Sequence, residues 1–237
     1  MSNDLVAIQN QLPESLRKML AEQIASDITR LGAAGGKDVI RITQDKKFEL
    51  PDGTIGEELD VAIVDFVYRN EYYLSAFNKK ALVPPACFAI SATAADMAPS
   101  ANSPIKQSDA GCNSCQQNAF GSSPNGDGKA CKNTVLLAVT PLDATADTPV
   151  WVIKTSPTAI KPFNAYVSKV ARTLGVPVQA VATKLFFDPQ SSYATLRFDV
   201  TGVNPIASDT IARKDEARKR LMEEPDVTKF EMPASKK

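Results

Sequence analysis

Apolar residues near the N-terminus recur at spacings of three and four positions, which is the period of one face of an α-helix. The recurring positions are Leu16, Leu20, Ile24, Ile28 and Leu31. Pro13 suits the first turn of such a helix, and Gly32, Gly35 and Gly36 end the pattern. We therefore predict an N-terminal helix within residues 1–36.

After residue 36 the apolar positions alternate with polar ones or form short blocks, a pattern typical of β-strands. A hairpin is predicted from residues 39–42 and 47–50, and a long strand from residues 59–68. Arg69 and Asn70 then indicate a turn, after which residues 71–77 return as a strand. The remaining predicted strands form two pairs, residues 134–139 with 150–155 and residues 178–187 with 193–200.

Two further helices are predicted in the second half of the chain. Ser156 and Pro157 are residue types preferred at the cap and first turn of a helix, and this helix runs towards Gly175. Residues 208–224 form a charged helix that is followed by a polar tail. Because strands outnumber helices, we expect a mostly β (α+β) fold.

Long strands, one helix between strand pairs and helices at both ends favour an OB-like, partly open barrel. A generic α+β sandwich is the alternative architecture. The predicted organisation is an N-terminal helix over residues 1–36, an OB-like core over residues 37–205, and a C-terminal helix with a polar tail over residues 206–237. The core contains a loop insertion over about residues 84–133.

All four cysteines lie in this insertion, with the spacing Cys87-x24-Cys112-x2-Cys115-x15-Cys131. Two residues between Cys112 and Cys115 allow both thiolates to reach one tetrahedral ion from a tight turn. Residues 92–130 contain few large apolar side chains, so a bound metal would explain what orders them. We predict that the four cysteines hold one structural Zn²⁺.

Four thiolates leave no open coordination position, so the ion would be structural rather than catalytic. Three alternatives remain open for these cysteines: an iron–sulfur cluster, a redox-active Cys-x-x-Cys pair, and ordinary buried thiols.

Charge and composition narrow the class of protein. The chain has 27 basic and 27 acidic residues, which argues against binding nucleic acid or membranes by bulk charge. It has no histidine, which excludes histidine-containing triads and the usual general base, and we expect no enzymatic activity. No segment reads as a membrane span or a secretion signal, so a cytoplasmic location without a membrane partner is expected.

Aromatic and basic side chains share several predicted strands, and two lysines flank Cys131. Proteins that bind single-stranded nucleic acid stack bases on aromatic rings and pair phosphates with cations. The candidate nucleic-acid-binding residues are Arg41, Lys47, Arg69, Tyr72, Tyr73, Lys129, Lys132, Trp151 and Lys154. Packing against the core is the alternative role of the aromatic residues.

Segments around the cysteines resemble a family of phage and prophage proteins of similar size, over roughly residues 35–200. The segments are residues 84–89, 112–115, 118–122 and 128–132, and the Trp151 strand followed by Ser156, Pro157 and Thr158. A looser likeness links the chain to single-stranded DNA-binding proteins of T-even phages, which carry a zinc-binding excursion in an OB-fold. For a phage-encoded protein, the resemblance implies the host cell cytoplasm.

The resemblance implies a single-stranded DNA-binding protein that acts in replication or recombination, with proteins of those processes as further partners. One alternative is a zinc-stabilised protein-interaction module that binds a host factor. Another is a minor component of the virion. The sequence leaves the oligomeric state open.

Overall fold

The computed structural model describes Pro13, Leu16, residues 38–75 and residues 83–232. The predicted N-terminal helix therefore lies outside the described residues apart from Pro13 and Leu16, as do residues 233–237 of the predicted tail. The chain divides into two compact units, Met1–Val39 and Ile40–Lys237. Every strand of the described residues lies in the second unit, apart from Val39 at the start of the first strand.

Nine strands form one sheet in the order β3-β2-β1-β7-β6-β4-β8-β9, with β5 also paired to β4. The sheet is curled into an open half-barrel, which confirms the mostly β prediction. The strands are β1 (Val39–Ile42), β2 (Phe48–Glu49), β3 (Ile55–Gly56), β4 (Leu59–Tyr72), β5 (Cys87–Ser91), β6 (Lys132–Pro141), β7 (Trp151–Lys154), β8 (Val181–Phe187) and β9 (Leu196–Val203).

Within the described ranges, three α-helices accompany the sheet: α1 (Ile160–Lys169), α2 (Ala207–Ala212) and α3 (Lys214–Leu221). A 3₁₀ turn over Pro157–Ala159 leads into α1, and a π turn over Val170–Leu174 follows it. Gly175 then ends the helical segment with φ 67°, a left-handed conformation that glycine adopts without a steric cost. The helix predicted between Ser156 and Gly175 is therefore confirmed, whereas the predicted 208–224 helix is two helices separated at Arg213.

The predicted turn at Arg69 and Asn70 is wrong, because β4 continues through both residues to Tyr72. Both residues are paired on each side of the strand, with β5 on one edge of β4 and with β6 on the other. The strand that returns beside β4 is β5, not residues 71–77. Asn70 tolerates this position because its side-chain oxygen accepts a hydrogen bond of 2.6 Å from Asn133 on β6.

One edge of β4 pairs with β6 over almost the whole strand, while two strands share the other edge. β8 pairs with residues 59–62 and β5 pairs with residues 68–72. Side chains fill the gap between them: the Gln179 amide donates to the carbonyl oxygen of Val64 at 3.1 Å. The buried carboxylate of Asp65 accepts two hydrogen bonds from Arg218 of α3, at 2.7 and 3.1 Å.

The two faces of the sheet carry separate apolar clusters. Phe163 and Tyr166 of α1 pack with Ile63 and Leu137 on the first face. Ala217 and Leu221 of α3 pack with Val64, Val67, Leu136 and Ala138 on the second face. Helices α1 and α3 therefore cover opposite faces of the same sheet.

Candidate functional site

Backbone hydrogen bonds order residues 92–131, the cysteine segment, which contains three of the four cysteines. The Cys112 amide donates to the carbonyl of Met97 at 2.8 Å, and the Cys131 amide donates to that of Gln117 at 2.8 Å. Within the Cys-x2-Cys turn over residues 112–115, the cysteine turn, the Cys115 amide donates to the Cys112 carbonyl at 3.3 Å. The Asn118 side chain also donates to this carbonyl, at 2.8 Å. These bonds fix the turn, and Cys112 also packs with Ala89 and Met97 in a small buried cluster.

The four cysteines line one small cavity. All four are free thiols with between 6% and 8% of their surface exposed. Strand β5 places Cys87 directly opposite Tyr72 of β4, and Cys131 immediately precedes β6. The cavity has a volume of about 10 Å³, which is close to the space taken by one water-sized sphere.

The environment of Cys112 and Cys131 raises the pKa of both thiols and so favours their neutral form. Burial raises the pKa of Cys131 to about 12, and the neighbouring cysteines raise it further while Lys129 lowers it. Burial also raises the pKa of Cys112, and a hydrogen bond from Asn70 opposes this shift. A divalent cation would reverse the balance, because it stabilises every thiolate around it.

The donor set fits a single soft metal ion. Four thiol sulfurs are the ligands of closed structural zinc sites, and they are also the ligands of iron–sulfur clusters. Across the described residues, however, no group of three or more histidine, cysteine, aspartate or glutamate side chains is already arranged to hold a metal. The backbone thus brings the four cysteines together, but the sulfurs do not yet have the geometry of a finished metal site.

Three of the predicted nucleic-acid-binding residues surround the buried carboxylate of Glu71. Arg69 lies 2.8 Å from one carboxylate oxygen, and the Lys154 ammonium forms an ion pair with the other. The Tyr73 hydroxyl hydrogen-bonds the same carboxylate, and burial together with that charge raises the pKa of Tyr73. Burial alone would raise the pKa of Glu71, yet Lys154 and Arg69 lower it overall. These cations are therefore partly neutralised within the protein.

The other predicted residues are distributed over both faces of the sheet. Tyr72 lines the cysteine cavity, and Trp151 is half-buried against the core. Lys132 lies opposite Glu71 in the pairing of β4 with β6. Arg41 is exposed on β1, and Lys47 lies 3.5 Å from the Asp45 carboxylate. Tyr72 is adjacent to Glu71 on β4, and adjacent residues of a strand point to opposite faces of the sheet. Tyr72 therefore cannot share a surface with Arg69 and Lys154, which contact Glu71.

The described residues form an open groove of about 600 Å³ between the cysteine segment and α1. No acidic side chain is among the described residues that line it. The lining residues are Lys129, Asn133, Pro157, Ile160, Lys161, Asn164, Ala165 and Ser168. Lys129 also donates to the Asn118 side chain at 3.2 Å, which connects this wall of the groove to the cysteine turn.

Of these residues, the sequence prediction includes only Lys129. The signal for the others is the spacing from Pro157 to Ser168, which repeats at three or four positions and so marks one face of a helix. Nothing in the sequence places that face beside Lys129 and Asn133, which come from distant parts of the chain.

No protein-family model matches the chain, and neither a curated protein nor a solved structure matches it. The resemblance to phage proteins therefore stays a prediction. Among the described residues, no helix is long and apolar enough to cross a membrane.

Proposed function

We propose that the protein binds single-stranded DNA in replication or recombination, with no enzymatic activity of its own. Its curled sheet would be an OB-like, partly open barrel, and one structural Zn²⁺ would order the cysteine segment. The observation that carries this proposal is the acid-free groove between the cysteine segment and α1.

The chemistry of the groove suits a nucleic-acid backbone. Lys129 and Lys161 supply positive charge, while the side chains of Asn133, Asn164 and Ser168 offer hydrogen bonds to phosphate oxygens. Pro157, Ile160 and Ala165 provide an apolar surface for sugars and bases. A local pair of cations is compatible with a net charge of zero for the whole chain.

The zinc would act through the wall of the groove. Asn118 accepts a hydrogen bond from Lys129 and donates one to the Cys112 carbonyl, so one side chain joins the groove to the cysteine turn. A closed four-thiolate site contributes folding free energy because the ion binds only the folded segment. This supports a structural role for the metal rather than a chemical one.

The test is fluorescence anisotropy of a labelled oligothymidylate across a series of salt concentrations. Each phosphate contact on a single strand contributes about −0.7 to the slope of log K against log salt. We expect Lys129→Ala and Lys161→Ala each to weaken binding and flatten that slope. Lys219→Ala is the matched control, because Lys219 is exposed on α3 at the opposite face of the sheet.

A wild-type protein that binds no single-stranded oligonucleotide at low salt would rule out this function. The second candidate is then a zinc-stabilised protein-interaction module. Val203 at the end of β9 is 82% exposed and Ile211 of α2 is also exposed, and such apolar side chains suit contact with another protein.

A further inference from the structure

Phe120 is a large apolar side chain that the described part of the protein leaves uncovered, with 84% of its surface exposed. It lies in an ordered loop of the cysteine segment. The Gly121 amide donates to the Gly128 carbonyl at 2.7 Å, and the Ala130 amide donates to the Ser122 hydroxyl at 2.9 Å. The Ser122 hydroxyl also bonds the Gln117 carbonyl at 2.9 Å, which anchors the loop beside the cysteine turn.

The same hydrogen bonds connect the backbone next to Phe120 with the backbone next to Lys129, which lines the groove. Phe120 precedes Gly121, and Gly128, the partner of Gly121, precedes Lys129. The aromatic ring and a cation of the groove wall therefore come from the two arms of one small loop. Aromatic rings beside cations are the pattern by which proteins bind single strands without sequence preference.

We propose that Phe120 is a base-stacking residue of the nucleic-acid site, with Lys129 holding an adjacent phosphate. This inference rests on the proposed single-stranded DNA binding. The three aromatic residues predicted from the sequence are worse placed for the role. Tyr72 lines the cysteine cavity, Tyr73 is bonded to Glu71, and Trp151 packs against the core, whereas 84% of the surface of Phe120 is exposed.

The experiment compares two labelled oligonucleotides of equal length, oligothymidylate and an abasic strand with the same backbone. We expect Phe120→Ala to weaken binding to oligothymidylate about fivefold or more. Binding to the abasic strand and the slope against salt should not change, because no phosphate contact is lost. Phe120→Trp should retain the affinity, and Phe120→Leu should lose it although it keeps apolar volume.

Lys129→Ala provides the contrast, since it should weaken binding to both strands and flatten the salt dependence. Melting curves should coincide for the wild type and the three Phe120 variants, because the side chain is exposed. Equal affinity of Phe120→Ala and wild type for oligothymidylate would overturn the stacking role, as would an equal loss on both strands. Absence of wild-type binding to both strands would instead overturn the proposed function, and this inference with it.

Discussion

Glu71 is a buried carboxylate whose charge is balanced by neighbours on two strands. Only 4% of its side chain is exposed, against 15% for Arg69 and 48% for Lys154. The Nε atom of Arg69 is buried without a hydrogen-bond partner, so this guanidinium depends on Glu71 for its compensation. Removal of one member of such a group leaves an uncompensated buried charge.

We predict that Glu71→Gln lowers the free energy of unfolding by about 3 kcal/mol, because the Arg69 cation loses its partner. Urea unfolding of the wild type and the variant gives this difference. Glu57→Gln is the matched control: Glu57 is exposed in the turn before β4, and its replacement should leave the midpoint unchanged. A Glu71→Gln protein as stable as the wild type would mean that the ion pairs contribute nothing.

Glu71 also predicts how stability depends on pH. The pKa of its carboxyl is lowered from the ordinary value of 4.5 in the folded protein, so the unfolded chain takes up the proton first. The contribution of Glu71 is fully present above that value and is lost as the pH falls through the folded pKa. Urea unfolding from pH 6 to pH 3 should show a shallower acid loss for Glu71→Gln than for the wild type. Parallel acid limbs would contradict the lowered pKa.

At the scale of elements, the helical segment that contains α1 begins and ends in different ways. Ser156 lies at the cap position but makes no capping bond, and its hydroxyl instead contacts that of Thr158 at 2.8 Å. At the other end, the chain leaves the helical segment through the left-handed Gly175. The helical segment therefore ends before β8 at a residue whose backbone conformation favours glycine.

Gly175→Ala should lower the free energy of unfolding by about 1–2 kcal/mol, the cost of a left-handed conformation for a residue with a Cβ atom. Apart from Gly175 and its chain neighbours, no atom of the described residues lies within 4 Å of the position that this Cβ would take, so the cost comes from the left-handed backbone and not from a clash with another part of the fold. Gly202→Ala on β9 is the control, because its site is equally open and its backbone is not left-handed. Chemical unfolding of both variants separates the two effects; equal effects would contradict this reason.

A further prediction concerns how fast a protease cleaves the cysteine segment. Cys112→Ser and Cys115→Ser should each speed proteolytic cleavage within residues 92–130 by at least about tenfold, equivalent to about 1.4 kcal/mol of local stability. The reason is that the segment has little apolar surface of its own to bury once the metal is lost. Ser114→Ala, an exposed change inside the same turn, should behave as the wild type does. Unchanged cleavage of both cysteine variants would show that a metal does not order this segment.

Local patterns were enough to predict the elements whose signals are local. The β1–β2 hairpin, the pairing of β6 with β7 and the helix that ends at Gly175 all follow from periodicity and turn residues. The continuation of β4 through Arg69 and Asn70 was not predictable, because the partners that satisfy these polar groups lie on β5 and β6. For the same reason the sequence could not predict the groove, which is formed by residues far apart in the chain.

At the scale of the whole molecule, the cysteine cavity brings together all four cysteines of the sequence. Its volume is about 10 Å³, and four buried thiols line it. The proposed Zn²⁺ there would make the stability of the cysteine segment depend on metal supply.

We predict about one zinc ion per chain in protein purified without chelators, the stoichiometry of a closed four-thiolate site. Elemental analysis measures it, with the Cys112→Ser, Cys115→Ser double variant as the metal-free control. Iron with visible absorbance would indicate a cluster instead of zinc. A wild-type protein without metal would support the alternative of ordinary buried thiols.

The shared edge of β4 has a consequence for the chain while it is being synthesised. β4 is complete at Tyr72, but its partner β8 begins only at Val181. At a typical synthesis rate of about 5–20 residues per second, that edge waits roughly 5–20 s for its partner. Throughout this interval the nascent chain exposes an apolar strand with unpaired amides and carbonyls, a template for other unfinished chains. The order in which the strands leave the ribosome thus keeps residues 59–62 of β4 without their partner strand until β8 has been made.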